Sequence, residues 1–252
     1  MEDFFTFFMK KFGLIGYPLE HSFSKFYFTE KFKKEGIQAT YENFSLTNID
    51  NLKTILSQNK VDGFNVTIPY KESIIHLLDD IDSEAKIVGA VNCVKISNNQ
   101  LIGYNTDIIG FEKSFLSFIS AIQTPKKALV FGTGGANKAV VHILKKHQIP
   151  FLQVSRNEIL NGITYADIDE KTMQEYSILI NTTPVGMYPK IEEVLPIPYH
   201  LITDKHFVFD LVYNPEKSKL LSIAENQGAQ IKNGLDMLHI QAEEAWKIFR
   251  NI

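Results

Sequence analysis

Residues 128–144 read ALVFGTGGANKAVVHIL, and this stretch decides the fold of the second half of the chain. Its first four residues are apolar and predict a buried strand, while the apolar spacing after the glycines predicts a helix over 136–147. Glycines in such a turn let the backbone approach a pyrophosphate, and the free N–H groups of the helix start favour its charge. We therefore predict a dinucleotide site that uses Gly132, Gly134, Gly135 and Ala136; a glycine turn without a ligand is the alternative.

The glycine pattern is incomplete. Asn137 occupies the position of the third glycine in the G-x-G-x-x-G pattern. That glycine normally allows close packing between helix and strand. We therefore expect the packing here to use Ala136 or a small local shift.

The end of the next predicted strand indicates which dinucleotide binds. Phe151–Val154 is followed by Ser155, Arg156 and Asn157, where an NAD-binding unit would carry a carboxylate for the ribose 2′-OH. A guanidinium can instead bind a 2′-phosphate and stack on adenine, with Ser155 and Asn157 adding hydrogen bonds. The sequence predicts NADP; an arginine that is merely solvated is the alternative.

Strand-like and helix-like segments alternate along the rest of the chain. In the first half, strands are predicted near 12–17, 40–46, 63–68, 90–96 and 101–104, with helices between them. A helix over 105–120 leads to a predicted linker at 123–126, and the same alternation continues to a final helix over 235–249. This rhythm predicts an α/β fold with mostly parallel sheets.

Four polar segments lie at predicted strand ends and helix starts of the first half. They are GYPLEHSFS (16–24), NVTIPYK (65–71), GAVN (89–92) and GYNTD (103–107). Ligands of open α/β sheets bind at such ends. Taken singly, each segment is explained as well by helix capping or a solvated side chain.

Taken together, these segments resemble the shikimate dehydrogenase family. The resemblance rests on HSFS, NVTIPYK, GAVN, GYNTD, the GTGGA turn, DLVYNP (210–215) and NGLDMLHIQ (233–241), which run in family order over essentially the whole chain. Cys93 departs from the threonine that usually follows GAVN, and we expect it to contribute no chemistry.

The resemblance implies roles for the matching residues. Lys71 and Asp107 would form the catalytic pair beside the reacting oxygen. Ser22 and Ser24 would hold the substrate carboxylate. The other residues implied at the substrate are Asn65, Thr67, Asn92, Tyr213 and Gln241, and those implied at the cofactor cleft are Thr182, Val185, Gly234 and Met237.

The resemblance also implies a reaction and a domain arrangement. The reaction would be the reversible NADPH-dependent reduction of 3-dehydroshikimate to shikimate, in the chorismate pathway to the aromatic amino acids. A substrate domain would comprise 1–104 and 236–252, and a Rossmann-like NADP-binding domain 105–235. The alternatives are a sibling enzyme that oxidises quinate or shikimate with NAD, and a non-catalytic NADP-binding module.

Composition narrows the range of partners. The 252 residues carry a net charge of −3 and contain no block of lysine and arginine, so we expect neither nucleic acid nor a membrane as partner. The seven histidines and single cysteine show no metal-ligand spacing, so we expect no metal. Cys93 cannot form an intramolecular disulfide, which favours the cytoplasm. The partner is therefore expected to be a small molecule, bound by a monomer or a homodimer.

Overall fold

The computed structural model describes residues 9–20, 22–122 and 127–250. These residues form two six-stranded sheets, one in each of two units. The first unit runs to Thr106 and resumes at Ala245, and the second is Asp107–Glu244. The linker predicted at 123–126 lies outside the described residues. No described helix combines the length and apolarity needed to cross a bilayer.

The first unit is built on a mixed sheet. Its strands are β1 (Lys10–Gly16), β2 (Ala39–Ser45), β3 (Gly63–Val66), β4 (Asp80–Ile81), β5 (Cys93–Ser97) and β6 (Gln100–Tyr104), and its complete helices are α1 (Phe23–Glu35), α2 (Leu52–Asn59) and α3 (Ser83–Val88). The strand order is β2-β1-β3-β5-β6-β4, and β5 runs antiparallel to both of its neighbours while the other pairs are parallel.

The second unit has a wholly parallel sheet. Its strands are β7 (Ala128–Phe131), β8 (Phe151–Ser155), β9 (Gly162–Thr164), β10 (Ile178–Asn181), β11 (Phe207–Asp210) and β12 (Gln230–Lys232), and its helices are α4 (Asp107–Phe118), α5 (Gly135–Lys146), α6 (Glu170–Glu175), α7 (Lys219–Asn226) and most of α8 (Leu235–Arg250). The order β9-β8-β7-β10-β11-β12 is that of the Rossmann fold, whose switch point lies between the strands here named β7 and β10.

Contacts between aromatic side chains anchor one helix in each unit. In the first unit, Phe12 of β1 stacks on Phe249 at a centroid distance of 4.9 Å and meets the edge of Trp246 at 5.7 Å. In the second, Phe111 and Phe115 of α4 stack at 4.7 Å and contact Phe209 of β11. Since an aromatic side chain buries a large apolar area, these contacts fix the C-terminal turns of α8 and helix α4 in their respective units.

The boundaries of the units differ from those predicted for the domains (1–104 with 236–252, and 105–235). Residues 105 and 106 lie in the first unit, and the part of α8 from Leu235 to Glu244 lies in the second. Gly110 gives a physical reason, since a Cβ there would lie 2.8 Å from the Met237 carbonyl oxygen and 3.1 Å from Gln241 Cβ. Its missing side chain lets α4 approach α8 closely.

Candidate functional site

The four polar segments of the first half meet at one edge of the first sheet. β1, β3 and β6 end there at Gly16, Val66 and Tyr104, and the antiparallel β5 begins there at Cys93. The register sets Asn65 opposite Cys93, and Cys93 opposite Tyr104. Strand direction thus brings together segments that are far apart in sequence.

Two buried asparagines connect the strand ends. Asn65 is 5% exposed, and its Oδ1 accepts from the Tyr41 hydroxyl at 2.8 Å while its Nδ2 donates to the Asn92 carbonyl at 3.2 Å. The Asn92 side chain in turn binds Thr106, with the Thr106 N–H donating to Oδ1 at 2.7 Å and Nδ2 donating to Thr106 Oγ1 at 3.0 Å. The predicted substrate residues Asn65 and Asn92 therefore lie in one network that ends one residue before Asp107.

Asp107 is the first residue of α4 and is 5% exposed. Gly110, three residues later and hence on the same helix face, packs against Met237 and Gln241 of α8. Asp107 and Gln241 are therefore both placed by the contact between α4 and α8. Gln241 Nε2 donates to the Leu238 carbonyl at 3.0 Å.

Ser22 and Ser24 begin helix α1. Ser22 is at the N-cap position, yet its side chain makes no capping bond, and its buried Oγ has no hydrogen-bond partner among the described residues. Since buried polar groups are normally satisfied, this hydroxyl fits a group that the protein itself does not supply. Ser24 hydrogen-bonds the Tyr41 hydroxyl. Helix capping, the alternative for these hydroxyls, does not account for Ser22.

Backbone hydrogen bonds to neighbouring segments fix the positions of Lys71 and Thr67. The Thr67 N–H donates to the Ile15 carbonyl at 2.9 Å, and the Lys71 carbonyl accepts from the Val91 N–H at 2.7 Å. Both side chains are half-buried. A Cβ on Gly16 would lie 2.4 Å from Thr67 Cγ2, so the glycine leaves space for the threonine.

The glycine turn of the second unit has the geometry that a pyrophosphate site requires. Gly132 has a φ of +104°, and a Cβ on it would lie 2.7 Å from Thr183 Cγ2 and 2.8 Å from Thr182 Oγ1. Gly134 precedes the first residue of α5, Gly135, and a Cβ on Gly134 would meet nothing within 4 Å. The open space beside Gly134 and the N–H groups of α5 fit a phosphate group.

The missing third glycine is replaced by a polar contact. Asn137 is buried, and its Oδ1 accepts from Gln153 Nε2 of β8 at 2.7 Å, while Ala136 is only half-buried. The packing expected of Ala136 is thus made by Asn137. The hydrogen bond from β8 satisfies its Oδ1, while its buried Nδ2 has no partner among the described residues.

The strand β8 runs one residue further than predicted and ends at Ser155. Arg156 and Asn157 follow it and are exposed. In the described part of the chain Arg156 has no ion-pair partner, and the Asn157 N–H donates to Ser155 Oγ at 3.4 Å. An unpaired, exposed guanidinium fits a 2′-phosphate. Tyr165, which the sequence did not indicate, lies close enough to Arg156 to be affected by its charge and stacks on Phe131.

Three of the remaining residues predicted at the cofactor lie in two loops, and the fourth, Met237, lies in the first turn of α8. Thr182 follows β10, beside Gly132, and both its N–H and its hydroxyl donate to the Phe131 carbonyl. Val185 packs at the edge of the core. Gly234 touches the β11 loop so closely that a Cβ would lie 2.1 Å from the Leu211 carbonyl oxygen. Met237 is buried, and Tyr213 is half-buried.

Comparisons with known proteins agree with this geometry. A family model described as "Shikimate dehydrogenase substrate binding domain" matches residues 14–94. A Staphylococcus epidermidis protein named shikimate dehydrogenase (NADP(+)) is 38% identical over 96% of this chain and 93% of its own length. The chain belongs to the shikimate dehydrogenase family.

Solved structures of shikimate dehydrogenases share the whole fold. The enzyme from Aquifex aeolicus is 35% identical, covers 97% of this chain and 93% of its own, and superposes with a TM-score of 0.85. A shikimate dehydrogenase in complex with NADP+ is 34% identical over 97% of this chain and 91% of its own, with a TM-score of 0.84. The family and the fold, an α/β substrate domain followed by a Rossmann-like domain, are therefore confirmed.

The DLVYNP segment that this chain shares with the shikimate dehydrogenase family contains a buried carboxylate. Asp210 ends β11 with 0% exposure and accepts from Ser218 Oγ at 2.5 Å, Asn181 Nδ2 at 2.9 Å and the Val212 N–H at 3.0 Å. Burial raises the pKa of Asp210 to about 6, and the three hydrogen bonds only partly oppose it. The network fixes the loops that carry Thr182 and Tyr213.

Asp210→Asn is expected to change how stability depends on pH. An acid whose pKa is higher in the folded state stabilises the fold below its unfolded pKa of about 4, and this contribution is lost as the pH rises through the folded value. From pH 4 to pH 7 the free energy of unfolding of wild type should therefore fall relative to the variant, by about 2 kcal/mol. Urea unfolding at four pH values measures this difference. The exposed Asp204→Asn is the control, and a constant difference between wild type and Asp210→Asn would contradict the pKa shift.

Proposed function

We propose that this chain is an NADP-dependent shikimate dehydrogenase that reversibly reduces 3-dehydroshikimate to shikimate, a step towards the aromatic amino acids. The observation that carries the proposal is the convergence of HSFS, NVTIPYK, GAVN and GYNTD at one sheet edge. A sheet of Rossmann order with a glycine turn supplies the second requirement, a dinucleotide site.

Ser22 and Ser24 hold the substrate carboxylate. The buried, unpartnered hydroxyl of Ser22 supports this assignment because it needs an acceptor that the described chain does not provide. The ring hydroxyls of the substrate bind to a set of side chains that both donate and accept hydrogen bonds, namely Asn65, Thr67, Asn92, Tyr213 and Gln241. The convergence of Asn65, Thr67 and Asn92 at the sheet edge supports the first-unit members of this set.

Lys71 and Asp107 are the catalytic pair. Reduction of a ketone leaves an alkoxide that needs a proton, and a lysine ammonium both donates that proton and favours the developing negative charge. Asp107 orients the ammonium and hydrogen-bonds a neighbouring substrate hydroxyl. The anchored backbone of Lys71 and the burial of Asp107 at the start of α4 support fixed positions for both groups.

The second unit holds NADP(H), which supplies the hydride when bound. Gly132, Gly134, Gly135 and Ala136 take the pyrophosphate at the start of α5. Ser155, Arg156 and Asn157 take the 2′-phosphate and adenosine. Gly234 and Met237 lie beside the nicotinamide, and Thr182 and Val185 line the cofactor cleft. Two observations support this placement of the cofactor: the positive φ of Gly132, and an Arg156 that has no ion-pair partner among the described residues.

Further assignments follow from this function. We assign substrate binding to the first unit and cofactor binding to the second, with α8 contributing Gln241 to the substrate. A free, buried Cys93 suits the reducing cytoplasm, where we place the enzyme. It acts on small molecules, as a monomer or a homodimer.

Initial rates test the proposal. Shikimate and quinate are each assayed with NADP and with NAD, at saturating concentrations of the fixed substrate. Turnover of shikimate with NADP at the highest kcat/KM is the expected result. A preference for quinate with NAD would favour the sibling activity, and no turnover in any combination would leave only a non-catalytic NADP-binding module.

A further inference from the structure

Tyr41 joins two residues proposed to bind the substrate. It lies on β2, is buried, and stacks on Phe28 with centroids 4.5 Å apart and an interplanar angle of 13°. Its hydroxyl donates to Asn65 Oδ1 at 2.8 Å and also hydrogen-bonds Ser24. No motif in the sequence indicated Tyr41, because a tyrosine within a half-buried strand is ordinarily a core residue.

The donor and the acceptor of each hydrogen bond among Tyr41, Asn65 and Ser24 can be assigned. Asn65 Oδ1 carries no hydrogen, so Tyr41 must be the donor in that bond. A phenol has one proton, and therefore Ser24 must be the donor in the bond to Tyr41. Burial raises the pKa of Tyr41, with a smaller contribution from Cys93, so the phenol keeps its proton at neutral pH.

The same count of donors and acceptors determines the orientation of the Asn65 side-chain amide. Its Oδ1 is occupied by Tyr41, and one hydrogen of Nδ2 is occupied by the Asn92 carbonyl at 3.2 Å. The second N–H of Nδ2 has no partner among the described residues and remains for a ligand. A flipped amide would set its oxygen against the Asn92 carbonyl oxygen and its NH₂ against the Tyr41 hydroxyl.

We propose that Tyr41 is a positioning residue for substrate binding: it holds Asn65 with an N–H directed at a substrate hydroxyl. The inference rests on the proposed roles of Asn65 and Ser24. When a carboxylate binds, the Ser24 hydroxyl turns its proton from Tyr41 to the carboxylate, while Tyr41 keeps its bond to Asn65. Tyr41 therefore acts through Asn65 in the bound state.

Tyr41→Phe tests this role because it removes the hydroxyl and keeps the stacked ring. Loss of one buried hydrogen bond corresponds to a rise of about fivefold in KM for shikimate. The kcat and the KM for NADP should stay within about twofold, since the variant changes neither the proton donor nor the cofactor site. An equal rise in both KM values, or no rise in either, would overturn the proposal.

Tyr70→Phe is the matched control. Tyr70 is also buried in the first unit, and its hydroxyl donates to the Leu46 carbonyl at 2.5 Å. Its removal should lower the melting temperature much as Tyr41→Phe does, yet leave the KM for shikimate unchanged. A KM rise equal to that of Tyr41→Phe would show that loss of stability, rather than positioning, is the cause.

A double-mutant cycle identifies the residue through which Tyr41 acts. In an Asn65→Ala background, Tyr41→Phe should give no further rise in KM for shikimate, whereas in a Ser24→Ala background the rise of about fivefold should persist. The opposite pattern would overturn the proposal. Should Tyr41→Phe not fold, Phe28→Leu, which loosens the stacked ring, is expected to raise the same KM selectively, and an unchanged KM would count against positioning. Absence of wild-type turnover would instead overturn the proposed function.

Discussion

Lys71→Ala is expected to lower kcat by about two to four decades, the range for a general acid–base group, with a modest change in KM for shikimate. The alkoxide formed in ketone reduction would lose both its proton donor and the positive charge beside it. The Lys71 carbonyl is bound to the Val91 N–H, so the backbone should keep its position when the side chain is truncated. Steady-state kinetics in both reaction directions measure the effect.

Lys86→Ala provides the control for Lys71→Ala. Lys86 is an exposed residue in the last turn of α3, in the same unit. Its loss removes the same charge without touching the sheet edge, and kcat should stay within about twofold of wild type. Thermal unfolding of both variants separates chemistry from folding. A Lys71→Ala enzyme within a few-fold of wild-type kcat would remove Lys71 from the chemistry.

Elements with a clear apolar pattern next to the glycine turn could be predicted from the sequence. Strand β7 begins and ends at the residues expected, Ala128–Phe131, because four apolar residues are followed by a glycine turn. Helix α5, Gly135–Lys146, lies within one residue of the expected 136–147, because its apolar residues recur at helical spacing. The strand β9 and the helix α6 were not predicted. They have three and six residues, and β9 depends on its pairing with β8, which is a tertiary contact.

The site was predictable to the extent that its residues lie in recognisable motifs. Motifs placed Asn65, Asn92 and Asp107 at strand ends, but only the sheet order shows that β5 reverses direction so that GAVN joins the other three segments. Tyr41 reaches the site from β2 through a hydrogen bond between strands that are not neighbours. Such a contact leaves no periodic signal in the sequence.

Arg156→Ala is expected to raise the KM for NADP about ten- to a hundredfold and to leave the KM for NAD within about twofold. The two cofactors differ only in the 2′-phosphate, so a residue that binds this group affects one KM and not the other. Arg156 is exposed at the end of β8 and has no ion-pair partner among the described residues, so no internal ion pair has to be broken before it binds a phosphate. The ratio of the two kcat/KM values measures the effect directly.

Lys145→Ala is the control for a non-specific effect, in which the loss of any positive charge weakens the attraction of the protein for NADP. Lys145→Ala removes an exposed cation from the last turn of α5 in the same unit, at the opposite end of that helix from the glycine turn. It should leave both KM values unchanged, because exposed charges beyond about 10 Å are screened at moderate salt. If Arg156→Ala and Lys145→Ala shift the KM for NADP equally, the attraction is non-specific. If neither variant shifts it, the guanidinium is a solvated surface group, and a preference for NADP over NAD must then come from other residues of the second unit.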